Sequence, residues 1–85
     1  MELRPDAPQP LWRQLVALLQ DEIASGNRPP GSRLPSITKL AEEHDIATAT
    51  VVKALRELKR LGLVTGTPGH GTFVAEDLPE HLSPG

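Results

Sequence analysis

The chain has no cysteine, only two aromatic residues, Trp12 and Phe73, and no long apolar run. Without cysteine there are no disulfides, no thiolate metal sites and no thiol nucleophile, which is compatible with a reducing cytoplasm. The longest unbroken apolar stretch is Leu15-Val16-Ala17-Leu18-Leu19, against the ~20 residues a membrane-spanning helix needs. Met1 is followed by Glu2, Arg4, Pro5 and Asp6, so no apolar signal segment is visible at the start. Overall positive charge is lacking too. The net charge is −2, which by itself argues against a nucleic-acid partner.

What is present is enough for one small domain of 85 residues, 38% of them hydrophobic. A domain this short must commit nearly all its large apolar side chains to packing, so an enclosed pocket for a sizeable ligand would compete with the core. The charge is also unevenly placed. Between Ile46 and Ala75 the cations Lys53, Arg56, Lys59 and Arg60 face Glu57 alone, and Glu76, Asp77 and Glu80 follow as an acidic tail. Local field, rather than total charge, decides what a surface attracts.

The pattern divides the chain into a flexible leader (1–9), a folded domain (10–75) and an acidic disordered tail (76–85). Leu11, Leu15, Leu18, Leu19 and Ile23 form one stripe of an amphipathic helix over about 11–25, with Pro10 at its start and Gly26 at its end. Ser32-Arg33-Leu34-Pro35 is no more than a strand stub. Ser36 caps a second helix over about 37–44. After His44-Asp45-Ile46, where Asp45 tolerates a left-handed turn, a third helix over about 48–61 puts Val51, Ala54, Leu55 and Leu58 inward. Thr48, Val52, Lys53, Arg56, Lys59 and Arg60 lie on its other face, and Gly62 closes it. Because Ala47 is a poor cap, Thr48 is expected to cap this helix one residue late. Leu63-Val64-Thr65 and Thr72-Phe73-Val74 flank a glycine-rich tip, which reads as a hairpin. Trp12 and Phe73 are expected in the core, Trp12 as a core or staple residue.

The fold class is therefore α+β: a small winged helix-turn-helix, three helices followed by a two-stranded β-hairpin wing. The third helix suits a major groove, which admits one α-helix. Its first side chains would meet base edges and its later cations phosphates. Gly69 and Gly71 at the wing, 66–71, would let backbone N–H groups approach sugar and phosphate.

Six motifs occur in order: Pro10-Leu11-Trp12-Arg13-Gln14-Leu15, Gly31-Ser32-Arg33-Leu34-Pro35-Ser36, Leu40-Ala41, Thr50-Val51-Val52-Lys53-Ala54-Leu55, Gly62-Leu63-Val64 and Gly69-His70-Gly71-Thr72-Phe73-Val74. Together they resemble the GntR-family DNA-binding domain over about residues 10–75. The resemblance implies a bacterial transcription regulator, a repressor by expectation, binding a double-stranded and palindromic operator as a homodimer in the cytoplasm. It also implies DNA contacts from Arg33, Ser36, Thr50, Lys53, His70 and Gly71, to which the reading of the third helix and wing adds Thr48 and Gly69. The family commonly has arginines where Thr38, Thr48 and Val52 stand, a serine at Ala47 and glycine at Asp45. The operator is then read through Thr and Val contacts to thymine methyls, or affinity is low. The larger effector-binding half of the family lies outside these residues. The chain is a truncated piece or a minimal regulator, and no effector ligand or cofactor is expected within it.

Other readings are weaker. Ser36-Ile37-Thr38-Lys39 spells S-x-x-K, but the accompanying motifs of penicillin-binding enzymes are absent, so the chain is not read as an enzyme. His44, His70 and His81 lack metal-ligand spacing, and no metal site is expected. His44 reads as a partly buried helix-end residue. Glu57 lies four residues after Lys53 and is expected to pair with it weakly. The competing function is a winged-helix protein–protein interaction module without direct DNA binding.

Overall fold

The computed structural model of the protein describes residues 3–67 and 71–78. Three helices come first: α1 (Leu11–Ala24), α2 (Ile37–His44) and α3 (Thr48–Arg60). The strands β1 (Val64–Thr67) and β2 (Gly71–Val74) follow. They pair antiparallel with Val64 opposite Val74 and Gly66 opposite Thr72. The stub at Arg33 bridges Phe73 on the other edge of β2. Its ladder runs from Gly31 N to Val74 O at 2.9 Å, Val74 N to Ser32 O at 2.8 Å and Leu34 N to Thr72 O at 2.8 Å. β2 is thus paired on both sides and the hairpin is anchored to the segment leading into α2.

Apolar spacing explains the packing. Leu15, Leu19 and Ile23 of α1, Leu40 of α2 and Val51, Ala54, Leu55 and Leu58 of α3 are buried together. Leu34, Leu63, Val64 and Val74 close the same core from the sheet side. All four core positions expected on α3 lie in this cluster. No polar or charged residue is buried among the described residues. Trp12 is half-buried against the cluster. Phe73, expected in the core, is only half-buried and is not part of it. The period-two alternation of β2 turns Val74 and Thr72 toward the domain, so Phe73 faces the opposite side of the sheet beside Arg33.

Residues 3–9, expected as a leader, lie along α1. The Gln14 side chain accepts from Arg4 N at 2.6 Å and donates to Arg4 O at 2.7 Å and Gln9 O at 2.8 Å. Leu3 at one end and Leu78 at the other pack against the core.

The turns that orient α3 are set by backbone geometry. Asp45 is left-handed at φ 53°, as its residue type allows, and Ile46 N bonds back to Ala41 O at 3.0 Å. The chain reverses and leaves Ala47 extended (φ −69°, ψ 147°) as the N-cap, with no side-chain hydrogen bond. Thr48 is consequently the first helical residue, not the cap expected for it. The Ala47 carbonyl already accepts from Thr50 N at 3.0 Å and Val51 N at 3.3 Å. Helix geometry starts where the reversal ends, and the preference of one side chain for the cap does not move it. Ala47→Ser is therefore expected to stabilise the domain by ~1 kcal/mol, since an extended N-cap hydroxyl reaches the N2 or N3 amide. Thr48→Ala should change stability by less than about 0.5 kcal/mol. Chemical denaturation of the two variants checks both.

Candidate nucleic-acid interface

The site is built from the start of α2, the outer face of α3 and the hairpin. Ser36 caps α2 as its residue type suggests, its Oγ accepting from Lys39 N at 3.1 Å. Ser36, Ile37, Thr38 and Lys39 are all exposed around that helix start. On α3, Thr48, Ala49, Lys53, Arg56, Lys59 and Arg60 are exposed, and Thr50 and Val52 are half-buried. The inward stripe of Val51, Ala54, Leu55 and Leu58 fixes this outward set by helical periodicity.

The cations are not equivalent. Lys53 extends back over α1, with its Nζ 4.9 Å from the centre of the Trp12 ring. Arg13 lies 4.6 Å from the same ring through its guanidinium carbon. Both distances are within the ~6 Å at which a cation is drawn to an aromatic face. Arg60 instead makes two hydrogen bonds to Glu57, each 2.7 Å. The expected Lys53–Glu57 pair is thus replaced by Glu57–Arg60, because the Trp12 ring takes the lysine ammonium and Arg60 offers a planar fork that matches a carboxylate. The hydrogen bonds from Arg60 hold the Glu57 carboxyl below its usual range, with a smaller attraction from Arg13. Glu57 in turn raises the Arg60 guanidinium.

Two further cations lie along the hairpin. The Arg33 guanidinium crosses Gly71, with Nε 3.1 Å from where a Cβ on that glycine would be. Gly71 has φ +105°, a conformation L side chains rarely adopt. Its lack of a side chain therefore serves both the backbone and the arginine. Lys59 Nζ approaches the corresponding point on Gly66 at 3.3 Å. Gly66 shares a face of the sheet with Val64, and Gly71 shares the other with Phe73, so one cation lies against each face of the wing.

Of the residues singled out from sequence, Arg33 and Gly71 are brought together, and Ser36 and Thr48 are exposed at the starts of α2 and α3. Lys53 is seated apart from them against Trp12, and Thr50 is only half-exposed. Gly69 and His70 lie outside the described residues. Sequence reasoning missed Arg13, whose link to Lys53 runs through a ring on another helix. It also missed Lys59 as a wing residue, although Val52, Arg56 and Lys59 follow the i, i+4, i+7 spacing of one helical stripe. Among the described residues no group of acidic or histidine side chains is placed to hold a metal, and no helix is long and apolar enough to cross a membrane.

The family model for bacterial regulatory proteins of the gntR family matches residues 11–74. The chain belongs to the GntR family. Its GntR domain is 42% identical over 65 residues to the uncharacterized HTH-type transcriptional regulator YdfD of Bacillus subtilis (strain 168), covering 76% of this chain and 14% of that protein. It is 38% identical over 71 residues to the histidine utilization repressor of Pseudomonas putida, covering 84% of this chain and 29% of the repressor. The GntR chain thus spans less than a third of the length of either relative. Among solved structures, the AraR DNA-binding domain in complex with operator ORX1 superimposes with a TM-score of 0.80 at 26% identity, over 88% of this chain and 93% of that one. This GntR domain is accordingly a winged helix-turn-helix, three helices followed by an antiparallel hairpin. The family is one of bacterial regulatory proteins, and both relatives are named as regulators of gene expression, one as a transcriptional regulator and one as a repressor.

Proposed function

We propose that this GntR domain binds double-stranded operator DNA sequence-specifically, as the DNA-contacting part of a bacterial transcription repressor acting in the cytoplasm. One observation carries the reading. The outward face of α3 holds Lys53, Arg56 and Lys59, its single acid is tied to Arg60, and the adjoining hairpin carries a cation against each face, Lys59 on the side toward α3 and Arg33 on the other. The net charge of −2 does not oppose this, because three of the acids, Glu76, Asp77 and Glu80, follow the hairpin rather than α3. In this reading α3 enters the major groove and its first turn meets base edges. The wing lies on the backbone or minor groove, and Ser36 offers its hydroxyl and the α2 amides to a phosphate. Gly69 and His70 belong to the same wing contact. A palindromic operator would take two copies, with their recognition helices one DNA turn, ~34 Å, apart.

Titration of a fluorescent duplex at a series of salt concentrations tests the proposal. Phosphate-driven binding has a slope of log K against log salt of about −0.9 per phosphate neutralised. Four or more contacts from Arg33, Lys53, Arg56 and Lys59 would give a slope steeper than about −3. A protein–protein module would give no such binding, and a flat response to salt would reject the DNA reading.

A further inference from the structure

Between α3, the start of α2 and the inner face of the hairpin lies a shallow notch of about 170 Å³, lined by Ile37, Val52, Leu55, Arg56, Lys59 and Thr72 among others. Its floor is apolar and its rim carries two cations. No acid lines it. Ile37, at its mouth, is one of only two large hydrophobic residues exposed among the described residues, at 39%. The first five residues of α3 are Thr48, Ala49, Thr50, Val51 and Val52. None has the paired donors or acceptors with which Arg, Lys, Asn or Gln distinguish guanine or adenine. The next residue, Lys53, is held over Trp12. What this end of the helix does present is methyl groups, with the single hydroxyls of Thr48 and Thr50 as its only side-chain hydrogen-bonding groups.

Resting on the DNA-binding reading above, we infer that Val52, with Ile37 beside it, forms a seat for the 5-methyl group of a thymine in the operator, and that this domain selects its site mainly through such methyl contacts. The occupant follows from the chemistry of the notch. The thymine methyl is the one apolar group that base pairs display in the major groove, and Arg56 and Lys59 on the rim complement the phosphates that flank it. An apolar protein side chain would fill the floor but leave both cations without counter-charge.

The test begins with duplexes selected by the full chain from a randomised pool. Each thymine of the selected site is then replaced singly by deoxyuridine, which removes only the methyl group. Binding should fall about four-fold at one thymine per half-site, the affinity ratio expected for one buried methyl. With Val52→Ala the same deoxyuridine substitution should have almost no further effect, while circular dichroism shows an unchanged fold. Selection of a defined site at which no thymine-to-deoxyuridine change matters, or an undiminished loss with Val52→Ala, overturns the methyl seat and leaves DNA binding standing. Recovery of no duplex at all overturns the DNA reading and the seat with it.

Discussion

Replacing Leu58 with alanine is expected to destabilise the domain by ~2–5 kcal/mol, the usual loss for a fully buried leucine. Leu58 is completely buried on α3, in the cluster that joins α1 and α2 to the strands. Its carbonyl also accepts from Leu63 N at 3.0 Å, across the Gly62 turn (φ 80°) that leads into β1. A cavity there loosens the helix–hairpin junction as well as the helix packing. Domains of this size have only about 5–15 kcal/mol in total, and each kcal/mol moves the midpoint by about 4–8 °C. The thermal midpoint should therefore fall by at least about 8 °C, followed by circular dichroism. Leu61→Ala, three residues on at a side chain 36% exposed, should stay within about 0.5 kcal/mol. Near-equal midpoints for the two variants would mean that α3 is not held by the core assigned to it.

The inward place of Leu58 was legible in the sequence, because amphipathic spacing depends only on helical period. So was the second helix, whose two ends are local chemistry: Ser36 caps it and Asp45 turns left-handed after it. The hairpin followed from two β-branched runs around a glycine-rich tip. What was not legible depends on residues far apart in the chain. Spacing along one helix pairs Lys53 with Glu57, but Trp12 on α1 competes for the lysine and Arg60 wins the carboxylate. Phe73 looked like core by hydrophobicity, yet its side of the sheet is decided by the register that buries Val74. Capping preference makes Thr48 the cap of α3, whereas the reversal closed by the bond from Ile46 back to Ala41 leaves that place to Ala47. In the candidate site, the exposed face of α3 could be read directly. The meeting of Arg33 with Gly71 and of Lys59 with Gly66 required the strand register.

These seats rank the cations by what their loss should do to DNA binding. Arg33→Ala and Lys53→Ala should each weaken binding, by ~1–3 kcal/mol where the contact is bidentate to a base. Where the contact is to phosphate, each should reduce the magnitude of the salt slope by about 1. Losing one such contact reduces by roughly 3.5-fold the affinity change between 50 and 200 mM salt. Neither change should disturb the fold, since both side chains are exposed and the Arg33 backbone bridge to Phe73 is retained. Arg60→Ala should matter least, because its guanidinium is engaged by Glu57 at 2.7 Å rather than by a phosphate, and what it does cost comes from the unpaired Glu57 carboxylate it leaves. Glu57→Gln should therefore strengthen binding at low salt: it removes the one acid of α3 and frees Arg60. The strengthening should fade as salt rises, because exposed charges are screened over about 10 Å at 0.1 M. The decisive comparison is Lys53→Ala against Arg60→Ala. They stand seven residues apart on the same side of α3, two helical turns, so a groove that accepts the helix along its length meets both. If the two variants lose affinity equally, the seat on Trp12 and the clamp on Glu57 do not govern which charge reaches the DNA.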